Sequence, residues 1–181
     1  PGLSQTRFIS DFVGLHDKKR FQKRIREILA QYFAPFSKKQ IAQAADAAYA
    51  EYEAYHKAVQ AKAREYLLAA KQEKQPVVVL CGRPYHVDPE VSHGIDKLLC
   101  DLGAAVITED SLSPQMSKFP AAVRNQWTYH ARMYAAAKYV AASPDDLHVV
   151  QLVSFGCGVD AVTTDEVRGI LESAGKDYTQ L

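Results

Sequence analysis

A run of five apolar residues, Val77-Val78-Val79-Leu80-Cys81, follows Pro76 and ends at Gly82. Valine favours extended backbone, and a continuous apolar run of this length is typical of a central strand in a parallel sheet. Such a strand has neighbours on both sides and helices over both faces. The run therefore limits the carboxyl-terminal part of the chain to an α/β architecture.

Helical and extended patterns alternate after this strand. The predicted strands cover residues 104–107, 148–154 and 178–181, and the predicted helices cover residues 91–102 and 127–142, with a last helix that starts at Thr163 or nearer Asp160. Strands that alternate with helices indicate βαβ units with right-handed crossovers. We therefore predict an open, mainly parallel sheet with flanking helices, an α/β/α fold.

The first 75 residues follow a helical pattern instead. Asp17 is suited to cap one helix, and Ser37 and Gln40 have the spacing of a capping box at the start of a second, alanine-rich helix. Two helices joined by a short turn are expected to pack as an antiparallel hairpin. We predict an N-terminal arm and helical hairpin over residues 1–75 and an α/β domain over residues 76–181. Because the first residue is Pro1 and the last predicted strand is short, we expect a fragment of a longer chain.

Composition excludes several classes of protein. The 22 Lys and Arg residues balance 21 Asp and Glu residues, for a net charge of +1, so neither nucleic acid nor an anionic membrane is expected as the main partner. No apolar run approaches the roughly 18 residues that a membrane-spanning helix needs. Three cysteines without a CxxC pair argue against a disulfide scaffold and indicate a cytoplasmic protein.

Ligands of an open parallel sheet bind where the loops at the carboxyl ends of the strands converge. In this chain those loops carry a guanidinium group, an imidazole, carboxylates and thiols. The candidate binding residues are Arg83, His86, Asp88 and Glu109, and the candidate metal ligands are Cys157 and Cys81. The loop after the first strand lacks the glycine spacing of a dinucleotide loop and the Lys-Ser/Thr of a P-loop. Arg83 either binds a carboxylate or phosphate, or clamps its own loop by pairing with Asp88 or Glu109.

Cys157 lies between Gly156 and Gly158, which permit close approach of the backbone to a bulky group. Cysteine is the usual ligand of iron–sulfur clusters, so Cys157, with Cys81 at the end of another strand, is a candidate cluster ligand. A buried inert thiol is the alternative. A nucleophilic role for Cys157, with His86 or His130 as base, is a further alternative that has no sequence signature.

Several motifs follow one another in an order that resembles a known family. The motifs are Cys81-Gly82-Arg83-Pro84-Tyr85-His86-Val87-Asp88-Pro89-Glu90, His93-Gly94-Ile95, Thr108-Glu109-Asp110, Asn125-Gln126-Trp127-Thr128-Tyr129-His130 and Ser154-Phe155-Gly156-Cys157-Gly158-Val159-Asp160-Ala161-Val162-Thr163-Thr164-Asp165. Residues 76–181 resemble the C-terminal, dehydratase-like portion of the large 2-hydroxyacyl-CoA dehydratase activase-type proteins, also called CoA-substrate-specific enzyme activases.

The resemblance implies a function in anaerobic metabolism. In that family an ATPase half drives electrons at low potential through iron–sulfur clusters into a CoA-ester dehydratase or a related reductase. This chain is then expected to contribute to the electron-transfer component, with a 4Fe-4S cluster in the full-length protein and Cys157, with Cys81, as candidate ligands. Its partners would be the ATPase half of its own polypeptide or a dehydratase or reductase subunit. The fragment alone is expected to be non-catalytic, because it lacks a nucleotide-binding half. The alternative is a non-catalytic α/β docking domain that contacts a partner subunit.

Overall fold

The computed structural model describes residues 7–112, 127–154 and 157–181. These residues belong to two compact units, one ending at Tyr55 and the other starting at His56. The boundary lies within a long helix. The predicted domain boundary between residues 75 and 76 stays a prediction.

The first unit contains helix α1 (Lys18–Tyr32) and the first half of helix α2 (Lys38–Glu73). Asp17 caps α1 as predicted, because its side chain accepts hydrogen bonds from the backbone N–H groups of Lys19 and Arg20. Phe21 of α1 packs edge-on against Tyr49 of α2, with ring centroids 5.7 Å apart. The Phe21–Tyr49 contact joins the two helices of the predicted hairpin.

The capping box at the start of α2 is also confirmed. The backbone N–H of Ser37 donates to the side chain of Gln40 (3.0 Å), and the N–H of Gln40 donates to the Ser37 hydroxyl (3.2 Å). Tyr52 and Tyr55 of α2 recur at the helical spacing that is typical of a buried packing seam, but both side chains are exposed. Smaller residues are buried in their place, as the four residues Ile41, Ala45, Ala63 and Ala70 illustrate.

The second unit is built on a four-stranded, all-parallel sheet, which confirms the predicted open α/β fold. The strands are β1 (Val77–Cys81), β2 (Ala105–Thr108), β3 (Leu147–Gln151) and β4 (Tyr178–Gln180), in the order β2-β1-β3-β4. The helices that connect or flank them are α3 (Pro89–Ser92), α4 (Ile95–Asp101), α5 (Glu109–Leu112), α6 (Thr128–Ala142) and α7 (Gly158–Glu172). All five residues of β1 are buried, as the apolar run predicts for a central strand.

The core of this unit lies on both faces of the sheet. Val79 and Cys81 of β1 point into a large cluster that contains residues of α6 and α7, together with Ala63 and Ala70 of α2. Val78 and Leu80, on the opposite face, pack with Leu99 of α4. The alternation of neighbouring residues between two clusters follows from the two-residue repeat of a strand.

One helix assignment made from sequence is wrong in detail, and one of two alternatives for another is settled. The helix predicted over residues 91–102 is broken into α3 and α4, because His93 and Gly94 both adopt positive φ angles, 49° and 75°. The last helix starts at Gly158, which agrees with the predicted alternative near Asp160 and not with a start at Thr163. Thr163 instead donates its hydroxyl to the carbonyl of Val159 within the helix (2.9 Å).

In the described ranges, helices with enough length and apolar character to cross a bilayer are absent.

We expect Leu171→Ala to destabilise the sheet-containing unit by about 2–5 kcal/mol, because it leaves a cavity in the main core. Leu171 is completely buried, whereas Leu102 is 74% exposed. Leu102→Ala is the matched control and should change the free energy of unfolding by less than about 0.5 kcal/mol. Urea unfolding followed by circular dichroism measures both. Equal effects of the two substitutions would contradict this placement of the core.

Candidate functional site

The loop after β1 is folded by a contact between its own residues. The backbone N–H of Arg83 donates to Nδ1 of His86 (3.0 Å). Nδ1 is therefore an acceptor, and the neutral ring carries its proton on Nε2. Gly82 is required for this arrangement, since a Cβ atom at residue 82 would lie 2.5 Å from Nδ1 of His86. This hydrogen bond fixes the backbone position of Arg83.

The Arg83 guanidinium connects the loop after β1 to the start of α7. Its Nη2 lies 2.8 Å from the Cys157 sulfur and 2.8 Å from Oδ1 of Asp160. Because β1 and β3 are neighbours in the sheet, the segments that follow them meet at one edge. The structure thus joins two segments that are more than 70 residues apart in sequence.

Asp160 is a buried carboxylate whose two oxygens accept hydrogen bonds from different groups, Arg83 and the backbone of Ser154. Its side chain is 6% exposed, and its Oδ2 accepts a hydrogen bond from the backbone N–H of Ser154 (2.9 Å). Burial alone would raise the pKa of Asp160, but the Ser154 N–H and the Arg83 charge outweigh it, so the pKa lies below its ordinary value. Asp160 is therefore ionised at neutral pH and compensates the charge of Arg83.

Cys157 is the N-cap residue of α7 and is partly exposed. The pKa of its thiol is lowered, first by the backbone N–H of Asp160 and second by the Arg83 guanidinium. The Asp160 N–H donates its hydrogen bond to the Cys157 carbonyl (3.0 Å), so it acts on the sulfur through its dipole. This environment favours the thiolate, which is the nucleophilic and metal-binding form of cysteine.

A cavity of about 550 Å³ opens beside Cys157. It is lined by Arg83, Tyr85, Trp127, Tyr129, His130 and Cys157, together with Pro84 and Val159. His130 is 8% exposed, and its Nε2 lies 3.7 Å from Oδ1 of Asp160, which is beyond hydrogen-bonding distance. Burial lowers the pKa of His130 and outweighs the opposing effect of Asp160, so the imidazole is neutral near pH 7.

Glu109 forms an ion pair that is separate from the pair of Arg83 and Asp160. Its buried carboxylate accepts a hydrogen bond from Nη2 of Arg132 on α6 (2.5 Å). Burial raises the pKa of Glu109 to about 7, although Arg132 opposes the shift. The guanidinium carbon of Arg132 also lies 5.3 Å from the centre of the Tyr129 ring. Arg132 thus lies between Glu109 and the Tyr129 ring of the cavity wall.

The two candidate metal ligands lie in different surroundings. Cys81 is completely buried in the core, and burial raises its thiol pKa well above the ordinary value, with a further contribution from the charge of Glu109. Cys157, by contrast, is partly exposed, and its thiol pKa is lowered. Over the ranges 7–112, 127–154 and 157–181, no three His, Cys, Asp or Glu residues are grouped so as to hold a metal ion.

The structure brings some of the predicted site residues together and separates others. Arg83 contacts both His86 and Cys157, so these three predicted residues lie together. Asp88 is exposed and instead accepts a hydrogen bond from the backbone N–H of Glu90 (2.9 Å). Neither Asp88 nor Glu109 pairs with Arg83, whose ionic partner is Asp160. Phe155 and Gly156, which complete the predicted loop around Cys157, lie outside the described residues.

Sequence reasoning did not assign the roles of Asp160 and Trp127. Asp160 is the third residue of α7, a position at which a carboxylate interacts favourably with a helix N-terminus. This position follows from the predicted helix start near Asp160, and not from the alternative start at Thr163. Trp127 is the N-cap residue of α6, and its ring packs edge-on against that of His130, with the centroids 5.6 Å apart. No sequence spacing relates Trp127 to Cys157.

The contacts of Cys157 predict that its thiol is more acidic than an ordinary cysteine thiol and than that of Cys81. We expect its alkylation by iodoacetamide to follow an apparent pKa below the ordinary value of about 8.5, and Arg83→Gln to raise that pKa. Peptide mapping over pH 6–10 separates Cys157 from Cys100, which is exposed, and from Cys81, which is buried. Arg168→Gln, on an exposed face of α7, is the control. An unchanged profile in Arg83→Gln would contradict the contact.

The raised pKa of Glu109 predicts a specific dependence of stability on pH. Glu109 binds a proton more tightly in the folded state, so its contribution is full below about pH 4.5 and is lost as the pH rises to about 7. We expect this loss to be roughly 2–3 kcal/mol relative to Glu109→Gln, from about 1.4 kcal/mol per pKa unit. Urea unfolding of both proteins from pH 4.5 to 8 measures the difference, in which the contributions of the histidines cancel. A constant difference would show that Arg132 fully offsets the burial of Glu109.

Comparison with known proteins supplies a family for the chain. The sequence profile of a family described as a CoA enzyme activase uncharacterised domain matches residues 3–112. The matched region includes the motifs from Cys81 to Asp110, and Cys157 lies beyond it. Neither the curated proteins nor the solved structures contain a match to the chain. Since the profile covers more than half of the 181 residues, the chain belongs to the CoA enzyme activase family that this domain defines.

Proposed function

We propose that this protein contributes to an iron–sulfur electron-transfer component in the ATP-driven activation of a CoA-ester dehydratase or related reductase. Within it, Cys157 would be a ligand of the cluster. Family membership supports the association with activation of CoA enzymes. The partner would be a dehydratase or reductase component, and ATP hydrolysis would be carried out by another part of the machinery.

The observation that carries the proposal is the state of the Cys157 thiol. A cluster ligand must be a thiolate and must be accessible to the inorganic core. Cys157 is partly exposed, it faces a cavity, and its pKa is lowered by the N-terminus of α7 and by Arg83. A bound 4Fe-4S cluster would supply one-electron transfer at low potential. Arg83 would act by donating a hydrogen bond to the ligand sulfur, which is one of the contacts that set cluster potentials.

Cys81 fits the same role poorly. Its side chain is completely enclosed by the core, and burial favours the neutral thiol. Coordination by Cys81 would require that the end of β1 opens. The remaining ligands of a cluster at Cys157 would therefore come from outside the described residues, either from other parts of the polypeptide or from a partner subunit.

The α/β docking domain is the second candidate function, and exposed apolar residues of the second unit favour it. Val87, Val91 and Leu98 are 53%, 43% and 56% exposed. A protein that serves only to bind a partner subunit would bind no iron. The two candidates are therefore distinguished by one measurement.

We expect anaerobic reconstitution of the full-length protein with iron and sulfide to yield a cluster that Cys157→Ser largely abolishes. Cys100→Ser is the matched control, because Cys100 is exposed on α4, away from the loop edge, and its substitution should leave the iron content unchanged. Iron and acid-labile sulfide analysis, with electron paramagnetic resonance of the reduced protein, measures the result. Equal cluster content in Cys157→Ser and the unsubstituted protein would refute the role of Cys157. Absence of iron from all three proteins would favour the docking domain.

A further inference from the structure

A groove of about 600 Å³ lies beside β2, within the second unit. β2 is at one end of the strand order, and in the part of the chain that the structure describes no strand pairs with its outer side. Residues of β2, of the second half of α2 and of α3 and α4 line this edge groove. Its described lining residues are all different from those of the cavity beside Cys157.

The edge groove has the position that a fifth strand would take. Ala70 of α2 belongs to the core cluster on one face of the sheet, and Leu99 of α4 packs with the cluster on the opposite face. Ala70 and Cys100, from these same two helices, line the groove together with Val106 of β2. A space that is bounded by both helix layers and by an edge strand lies in the plane of the sheet.

The backbone of β2 is oriented to form hydrogen bonds with a strand in this groove. The N–H of Ala105 donates to the carbonyl of Pro76, toward β1 (2.9 Å). Backbone groups of successive strand residues point to alternate sides, so the N–H and C=O of Val106 are directed away from β1. Outward-directed groups of this kind are the ones that pair with an added extended segment.

β2 lacks the features that prevent natural edge strands from pairing. Its sequence, AVIT, contains no charged residue and no proline, and Val106 and Ile107 are β-branched residues that favour strands. The other edge strand, β4, has the polar sequence YTQ and follows Lys176 and Asp177. An added strand is therefore favoured at β2.

The charges of the edge groove indicate which segment it binds. Its charged lining residues are Glu73 and Asp96, which are both exposed, and among the described residues no lysine, arginine or histidine lines it. A second copy that paired through β2 would bring the same two carboxylates to the groove, and like charges repel. A segment that carries lysine or arginine beside its apolar residues complements the groove instead.

We propose that the edge groove binds an extended segment of a partner protein, which pairs with the backbone of Val106 and places a lysine or arginine at Glu73 or Asp96. The segment extends the sheet as a fifth strand. This site goes beyond the proposed electron-transfer function and does not depend on a cluster. Binding is measured on the iron-free chain, so its failure is distinct from a failure of the iron analysis.

Three end-blocked peptides test the proposal by NMR titration of the full chain. KTVVVTK places three valines between two lysines, and it should shift the amide resonance of Val106 saturably. ETVVVTE reverses the charges and should bind at least about threefold more weakly, from the value of exposed ion pairs. KTVPVTK lacks the central N–H and should bind at least about fivefold more weakly, the value of one hydrogen bond. No saturable shift with KTVVVTK, or equal affinities for the three peptides, would overturn the proposal.

Hydrogen exchange locates the bound segment, with Ile107 as an internal control. The amide of Ile107 is directed toward β1, so it should exchange slowly with and without peptide. The amide of Val106 should exchange faster in the unbound protein and at least about tenfold more slowly with saturating KTVVVTK. Equal slowing of both amides would show a general stabilisation and would contradict binding at the edge of β2.

Substitutions at the rim test the charge recognition. The double variant Glu73→Gln with Asp96→Asn should reduce the preference for KTVVVTK over ETVVVTE to less than about twofold, because the exposed ion pairs are then lost. Glu65→Gln is the matched control and should keep the preference, since Glu65 is exposed on α2, pairs with Lys62 and does not line the groove. An unchanged preference in the double variant would overturn the recognition of a basic residue.

Discussion

The ion pair between Arg83 and Asp160 organises the loop edge of this protein. The sheet brings the ends of β1 and β3 together, but it does not fix the side chains that follow them. Arg83 does so, because one guanidinium nitrogen binds both the carboxylate and the Cys157 sulfur. Asp160 extends the connection to the backbone of Ser154. The hydroxyls of Tyr85 and Ser154 share a second hydrogen bond between the same two segments (2.7 Å).

This pair also explains why two thiols at the ends of adjacent strands differ in character. Cys81 is the last residue of β1, points into the core and is favoured as a neutral thiol. Cys157 lies three residues beyond Ser154, at a helix N-terminus and against a guanidinium, and is favoured as a thiolate. Position at the edge of a sheet is therefore not sufficient to activate a cysteine. The direction of its side chain and the nearest charge decide its chemistry.

The fold was predictable from the sequence to a large extent, whereas the site was predictable only in part. The apolar run of β1, the caps at Asp17 and Ser37 and the alternation of elements depend on local pattern, and the structure confirms them. The break at His93 depends on two consecutive left-handed residues, which periodicity does not reveal. Arg83 was placed at the correct edge, but its partner lies 77 residues away. Pairing over such a distance is set by the register of the strands and by side-chain direction, neither of which a single sequence contains. For the same reason, the sequence does not reveal that Trp127 and His130 line the cavity beside Cys157.

A double-mutant cycle on Arg83 and Asp160 tests the central claim most directly. Both side chains are largely buried, 25% and 6% exposed, so the pair is weakly screened by solvent. The free energy of unfolding would be measured by urea denaturation for the unsubstituted protein, Arg83→Gln, Asp160→Asn and the double variant. We predict a coupling energy of about 1–2 kcal/mol, as expected for directly interacting residues. Additive effects of the two substitutions would contradict the account, because the loop edge would then be held together without this contact.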